Sequence, residues 1–135
     1  VNTDEYKAIA DIEEKLDVEI PEFCYRPYEM KYFDYSIDSI SSVAWMEYQY
    51  ESKIVTFYID RQTDNTASNN QSFDGSKIKQ IETFSDNTKV TIEKIEENNK
   101  DTNYVAKWER NHVLYFLTGQ LDEKEIEKIV KNMVY

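Results

Sequence analysis

The chain has 135 residues, of which 27 are acidic, 16 are basic and one is His, so its formal net charge is −11. This length fits one domain, and so acidic a surface repels nucleic acid backbones and anionic lipid headgroups, which are therefore not expected partners. One Cys cannot form an internal disulfide, and one Cys with one His leaves little for a zinc site.

The chain opens with a segment typical of an amphipathic helix. Asp4 and Glu5 suit the positive end of the helix dipole, while Ile9, Ile12 and Leu16 recur at steps of three and four residues. A connector bounded by two prolines, residues 21–27, follows and should not be helical.

From Tyr28 onward the apolar residues recur every second position, which predicts strands joined by short turns and therefore antiparallel. Residues 62–76 are polar without periodicity and are predicted to form a loop. The predicted strands are 28–33, 43–50, 54–60, 78–84, 89–95, 104–109 and 113–117.

A second amphipathic helix closes the chain. Asp122 with Glu125 three residues later resembles a capping box, and Gly119 is predicted to supply the preceding turn. The helix carries one apolar stripe, formed by Ile126, Ile129, Val130 and Met133. This order predicts an α+β fold in one domain, residues 1–135: a curled, mainly antiparallel sheet of about seven strands with an N-terminal and a C-terminal helix on one face.

The sequence offers little material for catalysis. Cys24 and His112 could pair as nucleophile and base, but a small buried Cys and an exposed turn His explain them more simply. The oxygen-rich stretch 64–75 resembles a calcium loop, yet it has Asn69 and Gly75 where Gly and Glu are required. No carboxylate pair or Gly-rich phosphate loop stands out. We therefore expect no catalytic, cofactor-binding or metal-binding residue, no cofactor and no enzyme activity.

Aromatic residues offer a possible binding surface for a partner or a ligand, although packing in the core and at its rim explains them as well. The candidate residues are Tyr25, Tyr28, Tyr32, Tyr35, Trp45 and Trp108. Two hypotheses follow. The domain binds a protein or an envelope component, or it encloses a small ligand or lipid in an apolar groove under the sheet, lined by these residues.

The C-terminal third carries a family resemblance. Lys107–Asn111, Leu114–Gly119 and the helix Glu125–Val130 resemble the closing pattern of the domain of unknown function 4367 family. In that family a Trp-Glu hairpin, a Tyr-x-Leu-x-Gly-x-Leu strand end and a Glu-Glu-Leu-x-Lys-Ile helix recur. The opening helix and its Pro-bounded connector are also similar to the family's start, although Cys24–Tyr28 lacks the Gly of the usual Leu-Pro-x-Gly-Tyr.

The resemblance implies a location rather than a reaction. Such domains lie on the outer side of the membrane in Gram-positive bacteria, behind a lipoprotein signal or a single membrane helix, sometimes in anti-sigma-factor-like proteins. It supplies no catalytic residues. We therefore expect a trimmed extracytoplasmic fragment of a membrane-anchored parent, at the cell surface, with an unknown protein or envelope component as partner. The sequence does not indicate an oligomeric state.

Overall fold

The structure, a computed structural model, describes residues 3–61, 76–84, 86–96 and 102–135. It contains two helices, seven long strands and two very short strands. In chain order they are α1 (Thr3–Leu16), β1 (Glu22–Phe23), β2 (Lys31–Asp38), β3 (Val43–Tyr50), β4 (Lys53–Arg61), β5 (Ser76–Thr83), β6 (Thr88–Glu96), β7 (Thr102–Arg110), β8 (Val113–Gly119), α2 (Glu123–Lys131) and β9 (Met133–Val134).

The seven long strands form one antiparallel sheet in the order β2-β3-β4-β8-β7-β6-β5. The sheet is curled but does not close, so β2 and β5 are its edges. The short strands β1 and β9 pair separately. The predicted α+β class, with a helix at each end of the chain, is confirmed.

Two tight turns follow the rules for hairpins. Glu51 and Ser52 have φ of 50° and 67°, and Asn111 and His112 have φ of 53° and 65°. Two successive left-handed residues match the right-handed twist of the flanking strands, as in a type I′ turn. His112 is exposed in its turn, as expected from the sequence.

The register across the sheet defines its two faces. One row of the helix-covered face runs Tyr35, Met46, Phe57, Leu117, Ala106, Ile92 and Lys79. The neighbouring row, on the opposite face, runs Ser36, Trp45, Tyr58, Phe116, Lys107, Thr91 and Gln80. Since side chains alternate along a strand, residues of the first row point into the core and those of the second point away from the helices.

Each helix covers one half of the same face. α1 lies over β2 and β3 with Ala8, Ile12 and Leu16 buried, and α2 packs against β7 with its own apolar stripe buried. The cap of α2 is as predicted, because the Asp122 side chain accepts a hydrogen bond from the Glu125 backbone N–H at 2.8 Å.

Both edge strands carry a β-bulge. The register of β2 shifts between Tyr32 and Asp34, and that of β5 shifts between Lys77 and Lys79. The extra residue in β2 lets Tyr32 and Tyr35, three positions apart, both face the helices.

Several local expectations were wrong. Tyr28 lies in a turn, and the first long strand begins only at Lys31. α2 ends at Lys131, so Met133 is buried from β9 rather than from the helical stripe. Cys24, which was expected to be buried, is exposed, because the neighbouring Phe23 side chain is the one that packs against the core.

Gly119 is the last residue of β8 and makes no turn with positive φ. A Cβ atom there would lie 3.0 Å from Val55 Cγ2 and 3.1 Å from the Ile54 carbonyl oxygen. Any side chain at this position would therefore crowd β4, and glycine allows the close approach of β8 to β4.

Candidate functional site

A cavity of about 600 Å³ lies beneath α1. Its walls are α1, the Pro-bounded connector and the helix-covered sides of β2, β3 and β4. Ile9 and Phe23 are partly buried and supply apolar surface to the lining, whereas Ile20, Met30, Met46 and Phe57 lie behind them and are at most 9% exposed. Tyr6, Tyr32 and Tyr48 add aromatic rings, and Glu5 and Arg26 add charge. This size and lining match the usual properties of a small-molecule site.

The connector forms one wall because the chain cannot continue as a helix through its two prolines. Its strand β1 pairs with β9, Glu22 opposite Val134 and Phe23 opposite Met133. The Phe23 ring then lies 5.4 Å from that of Tyr48, between the connector and the sheet. The last strand of the fold thus holds the cavity wall in place.

A charged cluster occupies one side of the cavity. Arg26 Nη1 donates to Glu5 Oε1 at 3.0 Å and Nη2 donates to Oε2 at 2.8 Å, a bidentate pair. The Tyr48 hydroxyl also donates to Glu5 Oε2, at 2.9 Å. Glu5 is only 9% exposed, so these three hydrogen bonds replace the water molecules that would otherwise solvate its carboxylate.

The surroundings of the cluster raise the pKa of two of its members, Tyr48 and Arg26. Burial, followed by the neighbouring Glu5 charge, raises the pKa of Tyr48 well above its ordinary value. Burial alone would lower the pKa of Arg26, but the hydrogen bond to Glu5 and its charge outweigh burial, so that pKa is raised. Tyr48 therefore stays a neutral donor and Arg26 stays a cation.

Of the six predicted aromatic residues, one lines the cavity and two connect elements around the core. Tyr32 lines the cavity, and its pKa is raised to about 12, chiefly by burial. The Tyr25 hydroxyl donates to Glu125 of α2 at 2.6 Å, and that of Tyr35 donates to Asp11 of α1 at 2.7 Å.

The other three lie in different environments. Tyr28 is 90% exposed, whereas Trp108 is 3% exposed and stacks on Tyr115. Trp45 lies on the opposite face of the sheet, stacked on Tyr58 with ring centroids 5.6 Å apart. The six residues therefore do not form one surface, and among them the cavity takes only Tyr32.

Sequence reasoning missed the charged residues of the cavity. Glu5 continues the buried helical stripe of Ala8, Ile12 and Leu16 one turn toward the N-terminus. A carboxylate on a core stripe requires a buried partner, and this signal could have identified Glu5. Arg26 carries no comparable pattern, since its role depends on the path of the connector.

A buried carboxylate on the other face was also missed. Asp60 is 2% exposed, its Oδ1 has no hydrogen-bond partner among the described residues, and burial raises its pKa. Asp60 directly follows the apolar run Ile54–Ile59, and this position in the sequence could have indicated that its carboxylate is buried.

Within the described ranges, the candidate residues do not assemble into a catalytic site or a metal site. Cys24 and His112 are both exposed. Within these ranges, no group of three or more His, Cys, Asp or Glu residues is placed to hold a metal ion. The calcium-like stretch 64–75 lies outside the described residues. Of the helices described, none has the length and apolar character required to cross a membrane.

The fold and cavity define a class of small α+β domain in which two helices cover one face of a curled antiparallel sheet and a pocket lies between the first helix and that sheet. Comparison with family models then identifies the family: the chain belongs to the domain of unknown function family DUF4367, whose model matches residues 20–133. The match includes the connector, the whole sheet, α2 and Met133 of β9. Searches of curated proteins and of solved structures gave no match.

Proposed function

We propose that this domain is a non-enzymatic binding module that holds a small ligand in the cavity beneath α1. The cavity itself carries the proposal. Its volume of about 600 Å³ suits a ligand of the size of a drug molecule or a short lipid chain. Its apolar and aromatic lining would contribute binding free energy through burial, and its few polar groups would orient the ligand.

The cavity favours a small ligand over a large protein partner. Protein interfaces usually centre on clustered aromatic anchors, and the predicted aromatic residues are instead separated by the core and by the two faces of the sheet. A component of the cell envelope with an apolar portion would fit the cavity and would reconcile both hypotheses from the sequence.

The cellular role extends the proposal. We further propose that the domain lies on the outer side of the membrane, as the sensing part of a membrane-anchored regulator, which is the location that the family resemblance implies. In such a regulator, an occupied cavity would stabilise the connector and the strand β9 paired with it, because binding to the folded state stabilises that state.

The binding proposal can be tested with the neutral dye N-phenyl-1-naphthylamine, which fluoresces in apolar sites. Ile9 lines the cavity from α1 and is only partly buried, so Ile9→Trp would fill the cavity without changing the fully buried core. We expect the dye to bind the unchanged protein and Ile9→Trp to weaken its binding about ten-fold or more.

Ile54→Trp provides the matched control. Ile54 is 53% exposed and neighbours Val55, which faces the core, so its own side chain points away from the helices and the cavity. Circular dichroism would verify that both variants fold. Equal dye affinity for Ile9→Trp, Ile54→Trp and the unchanged protein, or no dye binding at all, would refute the proposal.

A further inference from the structure

The charged groups of the cavity cancel one another. Glu5 and Arg26 form a bidentate pair in which their side chains are 12% and 27% exposed. The other two charged residues of the lining, Glu22 and Lys31, are exposed to solvent and opposite in sign. The lining therefore has no net charge to offer a charged ligand.

Arg26 still has hydrogen-bond donors available. A guanidinium group carries five N–H donors, and two of those of Arg26 bind Glu5. Within the described part of the chain, the Arg26 side chain makes these two hydrogen bonds and no others. The group also lies 5.3 Å from the centroid of Phe23 and 5.2 Å from that of Tyr48, which holds its plane at the cavity wall.

A charged headgroup would be unfavourable in this cavity. It would lose its hydration without gaining an unpaired partner, because Glu5 already neutralises Arg26. An ion pair with an exposed lysine such as Lys31 would compensate for little of the lost hydration free energy. The net charge of −11 adds a general repulsion of anions.

We infer that the ligand is an uncharged, mainly apolar molecule with a hydrogen-bond acceptor that reaches the free N–H groups of Arg26. This inference rests on the proposed function, because it specifies the ligand of the same cavity. The apolar portion contacts the partly buried side chains Ile9, Phe23 and Tyr32, and the acceptor lies toward the pair of Arg26 and Glu5.

Three ligands that share one alkyl chain test the inference. Decanol, decanoate and decylammonium carry a neutral, an anionic and a cationic headgroup, and each would be titrated against bound N-phenyl-1-naphthylamine. We expect decanol to displace the dye at a concentration about ten-fold lower than either ion requires. Displacement by decanoate or decylammonium at a concentration equal to or lower than that of decanol would overturn the inference while leaving the proposed function intact.

Glu5→Gln tests the cause of the preference. The amide keeps the shape of Glu5 but removes its charge, which leaves Arg26 as an uncompensated cation beside the cavity. Decanoate should then bind about ten-fold more tightly than to the unchanged protein. Glu14→Gln, on an exposed position of the same helix, makes the same change in net charge and should not alter decanoate affinity.

The outcomes separate the two claims. Equal decanoate affinity for Glu5→Gln and Glu14→Gln, in variants that fold and bind the dye, would show that pairing with Glu5 does not set the preference and would overturn the inference. If the dye does not bind, or if Ile9→Trp leaves its affinity unchanged, the proposed function fails first and the ligand class fails with it.

Discussion

Glu5 shows how one residue can be buried on an apolar stripe. It occupies a position of α1 that would otherwise hold an aliphatic side chain, and it faces Tyr48 across the helix–sheet boundary. The connector then supplies Arg26, which satisfies the remaining capacity of the carboxylate. A single acidic residue thereby fixes the relative positions of a helix, a strand and a connector.

Removing the charge of Glu5 should destabilise the fold. In Glu5→Gln the amide can keep part of the hydrogen bonding, but a partly buried Arg26 loses its counter-charge. We expect the free energy of unfolding to fall by about 1–3 kcal/mol. Urea denaturation would measure it, and Glu14→Gln should change stability by less than about 0.5 kcal/mol. Equal stability of the two variants would contradict a structural role for the pair.

The close packing at Gly119 predicts that adding a single methyl group there destabilises the fold. Its Cβ in Gly119→Ala would lie 3.1 Å from a backbone oxygen that cannot rotate away, so the contact between β8 and β4 must widen. We expect a loss of about 1–3 kcal/mol in the free energy of unfolding. Ser36→Thr, which adds a methyl group at an exposed strand position, should leave the urea midpoint nearly unchanged. A midpoint for Gly119→Ala equal to that of Ser36→Thr would refute the steric argument.

At the scale of elements, side-chain hydroxyls connect the helices to the rest of the fold. The Tyr35 hydroxyl of β2 donates to Asp11 of α1, and that of Tyr25 donates to Glu125 of α2 across 100 residues of sequence. These contacts explain why tyrosine suits half-buried positions at the rim of the sheet, with the ring against the core and the hydroxyl reaching a carboxylate.

The contact between Tyr35 and Asp11 predicts a pH dependence. The hydrogen bond from Tyr35 is the largest cause that lowers the pKa of Asp11 below 3.8, its ordinary value. Its stabilising effect is therefore complete above that ordinary value and is lost as the pH falls through the folded-state pKa. Tyr35→Phe should raise the Asp11 pKa, and its stability deficit should shrink in acid.

Titration of the Asp11 carboxyl by NMR would measure this change directly. Tyr28→Phe is the matched control, because Tyr28 is 90% exposed and lies in a turn. An Asp11 pKa that is the same in Tyr35→Phe and in the unchanged protein would exclude the hydrogen bond as its cause.

The sequence predicted elements whose periodicity is long and regular. One apolar run predicted a strand at residues 54–60, and the structure has it at Lys53–Arg61. The cap and the apolar stripe predicted α2. The two-residue strands β1 and β9 were not predicted, because so short a pair has no period and depends on tertiary contact. The bulge at Phe33 was likewise hidden, since it interrupts the alternation from which strands are read.

The candidate site was less predictable than the fold. An apolar groove under the sheet was one of two hypotheses from the sequence. Its proposed lining included Trp45 and Trp108, which the structure assigns to the opposite face and to the packed core. Alternation reveals which residues share a face within a strand, but it does not reveal which face the helices cover. That choice depends on the whole molecule.

For the molecule as a whole, the pairing of β1 with β9 joins the two ends of the fold at the cavity. Cys24 N–H donates to the Asn132 carbonyl at 3.2 Å, beside the strand pairs of Glu22 and Phe23. We expect Val134→Pro to disrupt this pairing, because proline lacks the backbone N–H and restricts the chain. Amide exchange of residues 22–24 should then accelerate about ten-fold or more.

Val134→Ala is the control for this experiment. Val134 is 55% exposed, so losing most of its side chain should cost little, while alanine keeps the backbone N–H. Exchange of residues 22–24 should match that of the unchanged protein. Equal exchange rates in Val134→Pro and Val134→Ala would show that β9 does not hold the connector in place.

The two bulges have a consequence for behaviour at high concentration. An unclosed sheet leaves a row of unpaired backbone groups at each edge, and a straight edge strand is a template for the edge of another molecule. Here both edge strands are kinked, at Phe33 in β2 and at Ile78 in β5. A second copy would therefore meet an interrupted ladder at either edge, and we expect one extra residue in each edge strand to oppose growth of the open sheet into fibrils.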